Sequence, residues 1–231
     1  MIHLQDLWKT YRYGRDRTVV AAGLNAVFPT GVTVGLLGRN GAGKSTLLKM
    51  IAGTIQPDSG DIHSTGTISW PIGFGGSFHP ELTGAQNIRF IARTYGVDTD
   101  ELTDFVEDFA ELGQSFHHPL RTYSSGMKSR LVFGTAMGIG FDTYLVDEVT
   151  AVGDEEFKRK SQAVFRERLS AASAVFVSHS NRMILDLCDA GAVIEGGHLY
   201  YYDDIKEALH HHRWNQQNLS RVEDNVARGK G

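Results

Sequence analysis

Gly38-Arg39-Asn40-Gly41-Ala42-Gly43-Lys44-Ser45, with Thr46 after it, is the stretch that decides how this chain folds. Upstream, Val32-Thr33-Val34-Gly35-Leu36-Leu37 is the kind of run that makes a fully buried strand. Downstream, Leu47, Leu48, Ile51 and Ala52 recur at helical spacing until Gly53 and Pro57 close the segment. In the order strand, glycine loop, helix, consecutive backbone N–H groups curl around phosphate, and the helix N-terminus adds its partial positive charge. Lys44 is then expected to reach the β- and γ-phosphates and the Ser45 hydroxyl to bind Mg²⁺, which makes residues 38–46 candidate contacts for ATP. A plain glycine turn capping a helix is the competing reading, and it leaves the full spacing and the Lys-Ser pair unexplained.

Working outward, residues 2–8 and 18–28 read as strands, residues 60–70 as shorter β runs, and residues 71–80, rich in Gly and Phe without a period, as a loop. Thr83-Gly84-Ala85-Gln86 fits a capping box, after which Ala85, Ile88, Ala92 and Tyr95 share one helix face. A second helix starts at Asp98-Thr99 with Leu102, Phe105, Val106, Phe109 and Leu112 as its apolar stripe, so the pair forms a helical insert. Tyr144-Leu145-Val146, residues 155–169 and residues 174–178 then alternate as strand, helix and strand. Residues 192–200 read as a hairpin turning at Gly196-Gly197, and the polar stretch from Arg213 as a loose helix or frayed tail. The expected division is one α/β domain, with a core of 1–68 and 142–209, an insert of 69–141 and a tail of 210–231.

A length of 231 residues supports one such domain with a substantial core. The 41% hydrophobic content and mean hydropathy of -0.23 include no apolar run long enough to cross a bilayer, so the chain itself is not expected to span one. The first residues lack a secretory signal pattern and Cys188 is the single cysteine, both of which favour the cytoplasm. A net charge of -4 and a pI near 6.2 offer no general excess of cation for nucleic-acid phosphates, so no nucleic-acid partner is expected.

Tyr144-Leu145-Val146-Asp147-Glu148 ends its strand in two carboxylates. Alone, such a pair usually marks a solvated strand end. Beside a phosphate loop it reads as a Walker B element, with Asp147 orienting Mg²⁺ through its water shell and Glu148 polarising the water that attacks the γ-phosphate. Tyr123-Ser124-Ser125-Gly126-Met127 precedes another helical run and, in isolation, is a Ser N-cap. A hydroxyl and a backbone N–H at a helix start also bind a γ-phosphate. Lying between the phosphate loop and the acidic pair, this segment resembles the Leu-Ser-Gly-Gly-Gln signature of ABC ATPases, with Tyr, Ser and Met in place of Leu, Gly and Gln.

That resemblance implies an α/β P-loop NTPase fold of ABC type with an N-terminal antiparallel β subdomain and a helical insert. It also implies that Ser124, Ser125 and Gly126 serve the ATP held by an opposite copy, hence a nucleotide-dependent homodimer. Ala151-Val152-Gly153-Asp154 falls at the D-loop, which in the family lies across that interface. His179, in Ser178-His179-Ser180, resembles the switch histidine that contacts the γ-phosphate, although a lone His is more often structural. Tyr11 occupies the usual place of the aromatic that stacks on adenine; Tyr13 competes for that role, and both also fit as surface turn aromatics. One departure is the family's Gln in the loop entering the insert, which has no counterpart near Gly73-Phe74; Gln86 is instead the cap partner of Thr83.

Four stretches carry a finer resemblance, to the ATP-binding subunits of bacterial capsular-polysaccharide exporters, which share the missing Gln. They are residues 70–78, Leu82-Thr83-Gly84-Ala85-Gln86-Asn87-Ile88, residues 123–130 and residues 147–154. The implied partners are integral-membrane permease subunits docking on residues 73–94, and the implied cargo is a lipid-linked polysaccharide. The implied location is peripheral, on the cytoplasmic face of the bacterial inner membrane. O-antigen and teichoic-acid exporters would share every ATPase motif. A soluble ABC ATPase acting on ribosomes or DNA is the non-transport alternative, but it usually carries two cassettes or a long coiled coil. His210, His211 and His212 are consecutive, so on a helix they point about 100° apart and make no single metal site. His117-His118 reads as a solvated loop pair and Cys188 as packing.

Overall fold

Alternating side chains early in the sequence and unbroken apolar runs later give two kinds of strand, half-exposed antiparallel ones and fully buried parallel ones. A computed structural model of the chain describes residues 1–14, 16–72, 78–147 and 155–228, with backbone alone at 13, 16, 155 and 219–228. The strands are Ile2–Tyr13 (β1), Asp16–Phe28 (β2), Thr33–Leu37 (β3), Ser59–Ser64 (β4), Ile68–Ile72 (β5), Thr143–Asp147 (β6), Ser173–Val177 (β7), Ala190–Glu195 (β8) and His198–Tyr202 (β9). The helices are Lys44–Ile51 (α1), Gly84–Tyr95 (α2), Thr99–Ala110 (α3), Ser125–Ile139 (α4), Glu155–Ala171 (α5), Asn181–Leu187 (α6) and Ile205–Arg228 (α7). They are distributed over two compact units, Met1–Thr65 with Ser173–Gly231, and Gly66–Ala172.

In the first unit, β1 lies between β2 and β4 in an antiparallel sheet, with β1 and β2 in register from Ile2↔Phe28 to Tyr13↔Asp16. Both strands run further toward their shared turn than the sequence predicts, because cross-strand pairing continues through Thr10↔Val19 and Tyr11↔Thr18. A bulge at Asp6 (φ 48°) is held by Asn25, whose side-chain oxygen accepts from the Asp6 N–H at 3.0 Å. β3 is parallel to β7 on one side and β8 on the other, and all five of its residues are buried, which explains its unbroken apolar run. β8 turns into β9 at Gly196 (φ 58°) and Gly197 (φ 83°), as the hairpin reading expects.

Of the two readings of the polar C-terminal stretch, a loose helix or a frayed tail, the helix is the one present. The stretch belongs to α7, which starts at Ile205 and buries Ile205, Ala208 and Leu209. Glycines on the sheet make the approach possible. A Cβ on Gly35 would lie 2.9 Å from Ile205 Cδ1, and one on Gly191 would lie 2.3 Å from the Ala208 Cβ.

In the second unit, β5 and β6 pair in parallel through Ile68↔Thr143 and Pro71↔Leu145. Pro71 and Ile72 are therefore strand residues where a loop was predicted, and residues 73–77 lie outside the described residues. Thr83 and Gln86 form the capping box of α2, with bonds of 2.9 and 3.1 Å, so Gln86 has the expected structural task. Asp98 caps α3 through the Asp100 and Glu101 N–H groups. Trp70, Tyr95 and Phe141 pack ring to ring at 5.2–5.6 Å between β5, α2 and the segment joining α4 to β6.

Candidate functional site

The glycine loop leaves β3 at Gly38 and enters α1 through Gly43, whose φ of 103° is left-handed. A side chain is excluded at both points: a Cβ on Gly43 would lie 2.3 Å from Val20 Cγ1, and one on Gly38 2.7 Å from Ile194 Cγ2. α1 has no side-chain cap and no acidic residue in its first turn, so the positive end of its dipole is presented to a ligand. Lys44 folds back over the loop, and its Nζ donates to the carbonyls of Gly38 at 2.7 Å and Arg39 at 2.9 Å. Ser45 is exposed at the same helix start, and Thr46 is half-buried behind it.

A cleft of about 420 Å³ opens beside this loop. Its basic side chains are Arg39, Lys44, His179, His212 and Arg213, and none of the described residues lining it is a carboxylate. His179 is exposed between β7 and α6, on a turn where the Ser180 N–H donates to Ser178 Oγ at 3.1 Å and Ser180 Oγ accepts from Met183 N–H at 3.3 Å. Such a pocket of cations, with a helix N-terminus at its side, suits a polyphosphate. The structure thus brings together Gly38, Arg39, Asn40, Lys44 and His179, all of them named from the sequence.

His212 belongs to the same wall and was not selected by sequence reasoning, which only excluded a metal site among the consecutive histidines. Desolvation, and secondarily the Lys44 charge, hold its pKa below the usual histidine value, and its Nε2 lies 3.1 Å from Gln216 Nε2. Its neighbour His211 anchors the helix instead. The His211 Nδ1 lies 2.8 Å from the Tyr202 hydroxyl and its Nε2 lies 3.8 Å from Glu195, which also accepts from Asn215. The only sequence signal was the spacing of Ile205, Ala208 and Leu209.

The remaining candidates lie in the second unit or on β1. Asp147 ends β6, half-buried, while Glu148 and Asp154 lie outside the described residues. Ser124 is the N-cap of α4 and its Oγ accepts from Met127 N–H at 3.2 Å; Ser124 and Ser125 are exposed and Gly126 is in the first turn. Tyr123, in place of the signature's Leu, is buried. Tyr11 is half-buried on β1 with the Lys9 ammonium 5.7 Å from its ring centroid, and it lines neither cleft next to the glycine loop. No trio of metal-binding side chains occurs among the described residues. Mg²⁺ keeps several waters and takes one or two protein oxygens plus phosphate, and the exposed Ser45 hydroxyl at the start of α1 is an oxygen donor of that kind.

The family profile described as ABC transporter matches residues 22–151, more than half of the chain, which therefore belongs to that family and is an ABC-type ATPase domain. It is 46% identical over 219 residues to the polysialic acid transport ATP-binding protein KpsT of Escherichia coli, covering 94% of this chain and 98% of that one. It is 42% identical over 212 residues to the capsule polysaccharide export ATP-binding protein CtrD of Neisseria meningitidis serogroup B, covering 92% and 98%. A dimeric structure of the ATP-binding cassette MJ0796 bound to ADP and Pi superposes with a TM-score of 0.73 over 89% of this chain and 99% of that one, at 19% identity. At that identity the likeness shows the fold alone.

Proposed function

We propose that this chain is the ATP-hydrolysing subunit of an exporter that moves capsular polysaccharide across the bacterial inner membrane. The observation that carries the ATPase part is the basic cleft around Lys44, with Arg39, Arg213 and His179 among its lining side chains, and end-to-end similarity to KpsT and CtrD supports the cargo. Backbone N–H groups of residues 38–46 and the Lys44 ammonium bind the triphosphate, with Tyr11 stacking on adenine. Ser45 and Asp147 would hold Mg²⁺, which would supply positive charge against the phosphates. Glu148 takes the proton of the attacking water, and His179 fixes the γ-phosphate. Ser124, Ser125 and Gly126 of a second copy close over the nucleotide, with Asp154 at the interface, so ATP drives homodimerisation.

Among the described residues no helix is long and apolar enough to cross a membrane, so the translocation path belongs to separate permease subunits. They dock on residues 73–94, where Phe90 leaves 59% of its surface exposed on α2, and dimer closure moves the two docks together. Deleting the gene and analysing glycans outside and inside the cell tests the cargo. The expected result is loss of surface capsule with polymer trapped in the cytoplasm. Intact capsule with loss of O-antigen or teichoic acid would assign the chain to those exporters instead.

A further inference from the structure

The C-terminal helix supplies two of the five basic side chains in the cleft, His212 and Arg213. Its position there is built rather than incidental. Ile205 and Ala208 seat it against Gly35 and Gly191, and the contacts of His211 and Asn215 with Tyr202 and Glu195 pin the next turn to the β8–β9 hairpin. One residue further, His212 is half-buried and lines the same cleft as Lys44, Ser178 and His179. Lys44 reaches the last two phosphates of a bound triphosphate, so the cleft they share receives the terminal one.

We infer that His212 is a nucleotide-binding residue, donating a charge-assisted hydrogen bond to the terminal phosphate of ATP from a helix that lines the cleft together with Lys44. The inference rests on the ATPase reading above and adds a ligand from outside its motifs. The charged and titratable groups around His212 are Arg39 and Lys44 from the loop and α1, His179 after β7, Glu195 on β8, and His211 and Arg213 on its own helix. Desolvation first, and then the charges of Lys44 and His211, favour the neutral form of the His212 ring when no ligand is bound. A terminal phosphate reverses the balance and the ring gains a proton on binding. ATP affinity therefore rises as pH falls through the histidine range, and it does so less in a variant that cannot titrate there.

Titration calorimetry with ATP and magnesium, repeated with ADP, tests this on the full chain. His212→Ala is expected to weaken ATP about tenfold and ADP by less than about twofold, since one charge-assisted bond is lost. His212→Gln keeps a donor of similar reach and should recover part of the affinity. It should also lower the proton uptake per ATP, read from binding enthalpies in two buffers of different ionisation enthalpy. Equal ATP affinity in wild type and His212→Ala, or unchanged proton uptake in His212→Gln, overturns the inference while leaving the ATPase reading intact. Absence of ATP binding by the wild-type chain overturns both.

Discussion

The phosphate loop at residues 38–45 and the start of α4 at Ser124 are both helix N-termini suited to an anion, yet they are built in opposite ways. At the loop, backbone and neighbouring side chains crowd Gly38 and Gly43 so closely that no side chain fits, and the cap is left to a ligand. At α4 the cap is made by the chain itself, through Ser124 Oγ, and a Cβ on Gly126 would meet nothing nearer than that oxygen at 3.9 Å. The first is crowded at its glycines, with basic side chains gathered around it, while Ser124 and Ser125 are exposed with open space at Gly126. A closed cradle holds a ligand by itself, whereas an open helix start provides donors for a ligand carried by another molecule.

The largest test of that contrast removes the base while both halves stay intact. Glu148→Gln should lower ATP hydrolysis by about a thousandfold and leave ATP bound, so that a dimer accumulates in light scattering. Wild-type turnover in this variant would show that the base lies elsewhere. Lys44→Ala acts on the closed half alone and should reduce ATP affinity about a hundredfold by calorimetry, because contacts to two phosphates are lost. An affinity within threefold of wild type would mean that the loop backbone holds the phosphates unaided.

Crowding separates the two regions through stability. Gly43→Ala forces a left-handed φ and a contact with Val20, and should destabilise the chain by about 2–3 kcal/mol in urea unfolding. Ser124→Ala should remove about 1 kcal/mol through the lost cap. It should also slow hydrolysis about tenfold while ATP affinity is unchanged, the outcome expected if, as proposed, its phosphate partner belongs to the other copy. Gly126→Ala is the smallest change, within about 0.5 kcal/mol, since the position is helical and open. A Gly126→Ala loss as large as that of Gly43→Ala would erase the distinction between closed and open.

Much of this site was legible because its requirements are local. The glycine spacing before Lys44-Ser45, the Thr83/Gln86 box and the Ser124 cap each depend on residues a few positions apart, and all three are present as read. Pro71 was misread because its glycine-rich neighbours suggested a loop, whereas pairing with Leu145 carries the strand two residues further. The stretch from Arg213 reads as a loose helix or a frayed tail, and the helix is the one present; its start at Ile205 was not legible, because it depends on Gly35 and Gly191 admitting Ile205 and Ala208 against the sheet.

The sequence by itself determined the family, the strand, loop and helix around Lys44 and the Ser124 cap, since a backbone that must take left-handed angles or cap a helix writes that need into adjacent residues. Only the tertiary structure decided that His212 shares a wall with Lys44 and His179. Residues far apart along the chain meet through packing of a helix on a sheet, and the small side chains that allow that approach carry no mark of which element they await.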